Sequence, residues 1–200
     1  MSSSPRLILA SSSTYRQALL ARLQLKFETI APDIDERALP DETAIDTALR
    51  LSQAKAEAVA STTRDALIIG SDQVATLDGM HIGKPGTHAK ALSQLQAMRG
   101  REVVFHSALC LLDTRPEAPQ RVQIQNIQTV VCFRHLSDEE LDAYLHIEQP
   151  YDCAGSAKNE ALGIALLSSI RSDDPTALTG LPLISLVSML RVSGVNFFKG

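Results

Sequence analysis

Three serines, Ser11, Ser12 and Ser13, stand between a short apolar run at 6–10 and the segment TYRQALLARL, whose apolar residues recur at helical spacing. A buried strand that turns through hydroxyls into a helix presents free backbone N–H groups to an anion. Arg16 falls in the first turn of that helix, where the dipole disfavours a cation unless a phosphate is bound beside it. Serines also cap helices without any ligand, and an arginine there can simply be solvated. Asp72 ends a second apolar run, LIIGS at 67–71, so it is expected at the mouth of a central strand, where α/β sheets place their sites. An Asp there can equally be a turn former. Lys84 lies in a stiff Gly-Lys-Pro turn. The loop Asp33-Ile34-Asp35-Glu36 offers hard oxygen ligands, or is a solvated acidic loop. Lys55 lies in a helical run, where an exposed face is the plain alternative. The stretch from Asp152 to Glu160 packs small residues around charged ones, which allows close backbone approach to a ligand. Together these are a phosphate cradle, cations and carboxylates: the parts of a metal-assisted phosphoanhydride hydrolase.

Other chemistries are excluded. The five histidines show no HxxxH spacing, which predicts no zinc site. No GxGxxG follows a strand, and no GxSxG elbow is present. Gly79–Lys84 has one residue too few for a phosphate-binding P-loop, and Pro85 stands where Ser or Thr would be needed. Cys110, Cys132 and Cys153 form no CxxC pair, which fits a reduced, cytoplasmic protein with small buried thiols. A net charge of −4 argues against a general nucleic-acid binder. The apolar stretch from Leu178 to Leu190 contains Pro182 and is shorter than a membrane span, and the run at 7–10 is too short for a signal peptide.

The elements that must position these residues follow from periodicity. Strands are predicted over 6–10 and 27–31, a loop over 32–42 and a helix over 43–60. The strand at 67–71 runs into a hairpin turning at Asp78-Gly79. A helix over 87–98 stops at Gly100. Two long strands, 102–112 and 122–134, flank an exposed loop, and the second changes phase, which predicts a bulge near Gln125–Asn126. A helix over 137–146 opens with a capping box, Ser137 and Glu140. A strand near 164–168 and a helix near 182–192 close the order. Apart from the serine-rich N-terminus there is no low-complexity linker. The 200 residues suit an α/β fold with a mixed sheet and flanking helices, in one domain or with a tightly packed lobe.

The ordered set LILASSSTYRQALL, the loop ending in Glu36, Lys55-Ala56, IIGSDQV, GKP at 83–85, CAGS at 153–156 and GLPL at 180–183 resembles the Maf family of nucleotide pyrophosphatases over nearly the whole chain. The resemblance implies a fold related to the inosine triphosphate pyrophosphatases, with two lobes around a central cleft, usually as a homodimer. It implies cleavage of a nucleoside triphosphate between the α and β phosphates with a divalent cation, Mg or Mn. Asp72 matches the proton acceptor, Ser11 and Arg16 the phosphate turn, and Glu36, Lys55 and Lys84 the active cleft, with Glu36 and Asp72 as metal ligands. The second arginine common in the family is Gln17 here, so its role is not carried over. Tyr15, Gln73 and Glu160 occupy the positions that sort substrates, and the last two resemble the 7-methyl-GTP pyrophosphatase branch, in which Trp is common where Tyr15 stands. An aromatic face suits a cationic methylated base, and a carboxylate suits guanine's donor edge. The alternatives are a dTTP/UTP or other modified-nucleotide pyrophosphatase, and a non-catalytic nucleotide-binding regulator. Expected partners are the nucleoside triphosphate and a second copy of the chain, with neither nucleic acid nor membrane. His106, a lone histidine on a strand, is expected to be structural.

Overall fold

The computed structural model describes residues 5–198, so the serines at 2–4 of the polar N-terminus lie outside it. The elements in chain order are β1 (Arg6–Leu9), α1 (Thr14–Ala21), β2 (Glu28–Thr29), α2 (Ala44–Ala60), β3 (Ala66–Leu77), β4 (Met80–Ile82), α3 (His88–Met98), β5 (Glu102–Asp113), β6 (Val122–Phe133), α4 (Asp138–Glu148), β7 (Leu167–Ser172) and α5 (Leu183–Val192). The sheet is mixed, with strand order β2-β1-β3-β5-β6-β7 and β4 paired to β3. The chain divides into two compact units. One holds the described residues through Gln73, then Ser107–Ile127 and those from Asp174 onward; the other holds Val74–His106 and Gln128–Asp173.

In the first unit β1 pairs in parallel with β2 and β3, with Leu9 beside Ile69. Strand alternation sends side chains to two covered faces. Leu7, Leu9, Leu67 and Ile69 join Leu19, Leu20, Leu186 and Leu190 of α1 and α5 in one cluster. Ile8, Ala66 and Ile68 join Ala56 and Val59 of α2 in the other. Gly70 continues the α2 face. A Cβ there would lie 2.0 Å from the Ser52 carbonyl oxygen and 2.9 Å from the Ala56 nitrogen, so only glycine permits α2 to lie this close.

In the second unit β3 and β4 form the expected hairpin, with Asp78 and Gly79 at φ of 50° and 79°, the signs a two-residue turn of this hand requires. The capping box of α4 is present, Ser137 with Glu140. β6 and β7 are antiparallel.

Several expectations are corrected. β2 covers two residues only. Residues 162–166 form a 3-10 turn, and β7 begins at Leu167. In β6 the buried residue ahead of Ile127 is Gln123, not Val122 or Ile124; Ile124 and Gln125 are both exposed, and alternation resumes over Ile127, Thr129, Val131 and Phe133. Gln123 looks outward by polarity but is satisfied inside: its amide donates to the Met189 carbonyl and to Ser193 Oγ, both at 3.0 Å. The register shift seen in β6 lies at Cys132–Phe133, against β7. Cys110 is buried, whereas Cys132 and Cys153 are half-buried. Among the described residues no helix is long and apolar enough to cross a membrane.

Candidate active site

Asp72 is not at a strand mouth. β3 continues five residues past it, to Leu77, and Asp72 sits in mid-strand on the α2 face, two positions beyond Gly70. α2 buries Thr47, Ala48, Leu51, Ser52, Lys55, Ala56 and Val59, an i, i+3, i+4, i+7 stripe that carries Lys55 inward. The Lys55 side chain is 6% exposed and its Nζ lies 2.6 Å from Asp72 Oδ1 and 2.8 Å from Glu36 Oε1. Lys55 is therefore not on an exposed face; it joins a strand carboxylate to a loop carboxylate. Burial raises the Asp72 carboxyl above its ordinary range, and Lys55 and then Arg16 oppose that shift.

The serine turn follows β1, the in-sheet neighbour of β3. β1 ends beside Ile69, with the Ala10 N–H donating to the Ile69 carbonyl at 2.8 Å. Ser11 is buried, and its Oγ accepts from the Ser13 N–H at 3.1 Å. Ser13 caps α1 by accepting from the Arg16 N–H. The Arg16 side chain is not solvated at random: its Nε donates to the Gly180 carbonyl at 2.8 Å. Burial lowers the Arg16 pKa, while Asp72 and then Glu36 raise it. Ser71 Oγ reaches the same Gly180 carbonyl at 2.9 Å. The Gln73 amide nitrogen lies within 3.0 Å of Ser107 Oγ and of the Ala177 and Leu178 carbonyls. Its two hydrogens are thus committed to holding the 177–180 turn.

Tyr15 is half-buried in the first turn of α1. Lys84 and Glu160 belong to the second unit, and both are exposed. Asp35, offered above as an oxygen ligand, is instead bound by Arg37 within its own loop, which holds its carboxyl down at about 2. Burial pushes the Cys110 and Cys153 thiols up to about 12, so neither is a ready nucleophile. His106 is buried, and burial followed by the charge of His81 lowers its pKa.

A family model described as Maf-like protein matches residues 6–193. The chain belongs to the Maf family. It is 64% identical over 199 residues to a protein named 7-methyl-GTP pyrophosphatase from Burkholderia pseudomallei (strain 1710b), covering 98% of this chain and 91% of that one. It is 63% identical over 194 residues to a protein of the same name from Cupriavidus metallidurans, covering 97% and 96%. A solved structure of a HAM1 protein from Coxiella burnetii shares the fold, with a TM-score of 0.53 at 16% identity, covering 94% of this chain and 98% of that one.

Two polar groups escaped the sequence reasoning, one beside the Arg16 anchor and one in the second unit. Asp174 is buried and caps α5 from outside: its Oδ2 accepts from the Ile184 N–H at 2.7 Å and the Ser185 N–H at 3.2 Å. Its Oδ1 accepts from the Thr176 hydroxyl at 2.8 Å, and Thr176 Oγ1 accepts from the Leu183 N–H, also at 2.8 Å. This knot fixes Gly180, whose φ of 106° aims its carbonyl at Arg16. The available signal was Pro182 at a helix start with no local side-chain cap. The second group is His88, Asp142 and His146 in the second unit, which lie together although HxxxH spacing is absent.

Proposed function

We propose that this Maf protein hydrolyses the α–β phosphoanhydride of a nucleoside triphosphate, and that 7-methyl-GTP is the substrate, giving 7-methyl-GMP and pyrophosphate. The observation that carries the proposal is the buried Lys55–Asp72 pair with Glu36 and Arg16 in its field. The names of the relatives from Burkholderia and Cupriavidus support the substrate.

Asp72 suits a general base. Burial raises its proton affinity, Lys55 and then Arg16 oppose that rise, and Lys55 lies on Oδ1, so that Asp72 is placed to take a proton from the attacking water. Arg16 is held by Nε alone, so its Nη groups serve the phosphates as charge leaves the anhydride. Ser11 and Ser13 shape the turn under that anion. Lys84 neutralises the leaving pyrophosphate in the family pattern.

The donor set of Glu36 and Asp72 is all carboxylate oxygen, which fits Mg or Mn and not a soft ion. Lys55 already pairs with one oxygen of each carboxylate, so an ion would share the pair with that ammonium. These two residues would hold the ion, which when bound neutralises phosphate oxygens. Tyr15 offers the methylated base a π face and Glu160 an acceptor; Gln73 acts as a positioning residue by holding the 177–180 turn. The same family pattern supports a homodimer working in the cytoplasm, and light scattering of the purified protein checks its mass.

Purified protein, incubated with a panel of triphosphates and Mg or Mn, is expected to release pyrophosphate fastest from 7-methyl-GTP. Fastest release from dTTP or UTP would move the substrate while keeping the reaction. Tight nucleotide binding without any pyrophosphate would identify a regulator and overturn the proposal.

A further inference from the structure

We infer that His88, Asp142 and His146 form a binding site for a borderline transition ion of the Zn class, which clamps the start of α3 to the last turn of α4. One nitrogen of each imidazole and one Asp142 oxygen lie within 4.8 Å of one another. Two imidazoles and one carboxylate are a donor set for Zn, Co or Ni and a poor one for Mg or Ca. This set shares no residue with the Glu36–Asp72 pair.

Hydrogen bonding around the cluster prepares it for a cation. Tyr151 Oη donates to the Leu145 carbonyl at 3.3 Å and lies 3.1 Å from His88 Nδ1. His88 Nε2 faces Asp142 Oδ1 at 2.7 Å, so Tyr151 holds one nitrogen of the ring while the other is turned toward the carboxylate. His146 Nδ1 lies 2.9 Å from the Asp142 backbone carbonyl and 3.3 Å from Asp142 Oδ2, which holds this ring against the same carboxylate. Both rings are thus oriented by hydrogen bonds around the cluster, as metal-ligating histidines are.

Access and field agree. The side chains of His88, Asp142 and His146 are 34%, 44% and 68% exposed, so an ion enters without opening the unit. Tetrahedral bonds of about 2.0–2.1 Å require donor atoms roughly 3.3 Å apart, and side chains this exposed reach that by small rotations. His146 lies in the last turn of α4, whose dipole favours a cation. Three protein ligands leave a fourth position for water.

The test uses full-length protein stripped with EDTA and titrated calorimetrically with Zn²⁺, then with Co²⁺ for its visible spectrum. The expectation is one Zn²⁺ per chain with micromolar or tighter affinity, a rise in Tm of roughly 5 °C at saturating ion, and tetrahedral Co²⁺ bands. His146→Ala and His88→Ala should each lose more than about tenfold in affinity together with those bands, and Tyr151→Phe about tenfold. A Cys132→Ser/Cys153→Ser variant should bind like wild type, and excess Mg²⁺ should not compete. Circular dichroism in EDTA checks that each variant is folded. Wild-type affinity in folded His88→Ala and His146→Ala, or loss of binding in the cysteine variant, overturns the site. So does the absence of a saturating Zn²⁺ isotherm in wild type.

Discussion

At the scale of single residues, the pair to test is Asp72 and Lys55. Replacing Asp72 by Asn keeps the shape but removes the base, and should lower kcat by about 10²–10⁴-fold while the protein remains folded and nucleotide still binds. Wild-type turnover would remove Asp72 from the chemistry. The pH profile gives a second reading of the same pair. Burial holds the Asp72 carboxyl above its ordinary range, so the acid limb of kcat/KM should lie above pH 3.8. Lys55 is the largest influence opposing that shift, so Lys55→Met should move the limb further up in pH. An unmoved limb would mean that another group titrates. Substrate choice is tested by Tyr15→Arg combined with Glu160→Gln, which should narrow or invert the preference for 7-methyl-GTP over UTP. Both substrates must be measured in each variant, since specificity is a difference of two affinities. Intact preference in the folded double variant would free both residues of this role.

At the scale of elements, Gly70 and Glu42 decide how the site is held. Gly70→Ala drives a methyl group into the backbone of α2 and should cost about 3 kcal/mol, read from urea unfolding; a loss under 1 kcal/mol would show that α2 can retreat. Glu42 accepts from Arg50 Nε at 2.6 Å, from Thr47 Oγ1 at 2.9 Å and from the Leu39 N–H at 3.0 Å, and so ties the loop that carries Glu36 to α2. Arg50 and these partners hold its carboxyl down at about 2, from an ordinary 4.5. A depressed carboxylate stabilises the fold above its unfolded pKa and loses that contribution as pH falls toward the folded one. Glu42→Gln should therefore destabilise the protein at pH 7 and make little difference near pH 2. Equal losses at both pH values would show that the ion pair is not what matters. Helix extents, hairpin and capping box were legible in the sequence because they are local. The inward turn of Lys55 was not, because a lysine in an alanine-rich helix looks solvated until its carboxylate partners are known. The burial of Gln123 was hidden for the same reason: its acceptors, Met189 and Ser193, lie far along the chain.

At the scale of the whole molecule, the motifs proposed to carry the chemistry were legible as residue types, and their joint placement was not. The Lys55–Asp72 bond spans 17 residues, the Arg16–Gly180 bond 164, and His88–Asp142 spans 54. No periodicity reports pairings of that length. Both units are also discontinuous in the chain, since β3, β5 and β6 each contribute residues to both. On the ribosome, Arg16 is made early and its Gly180 acceptor 164 residues later. At ordinary elongation rates that gap lasts roughly 10–30 s. Throughout it, Arg16 lacks its anchor and Asp174 is not yet there to cap α5. The nascent polypeptide therefore carries Lys55 and Asp72 well before the turn at 177–180 exists, and Arg16 gains its anchor only once that turn has left the exit tunnel.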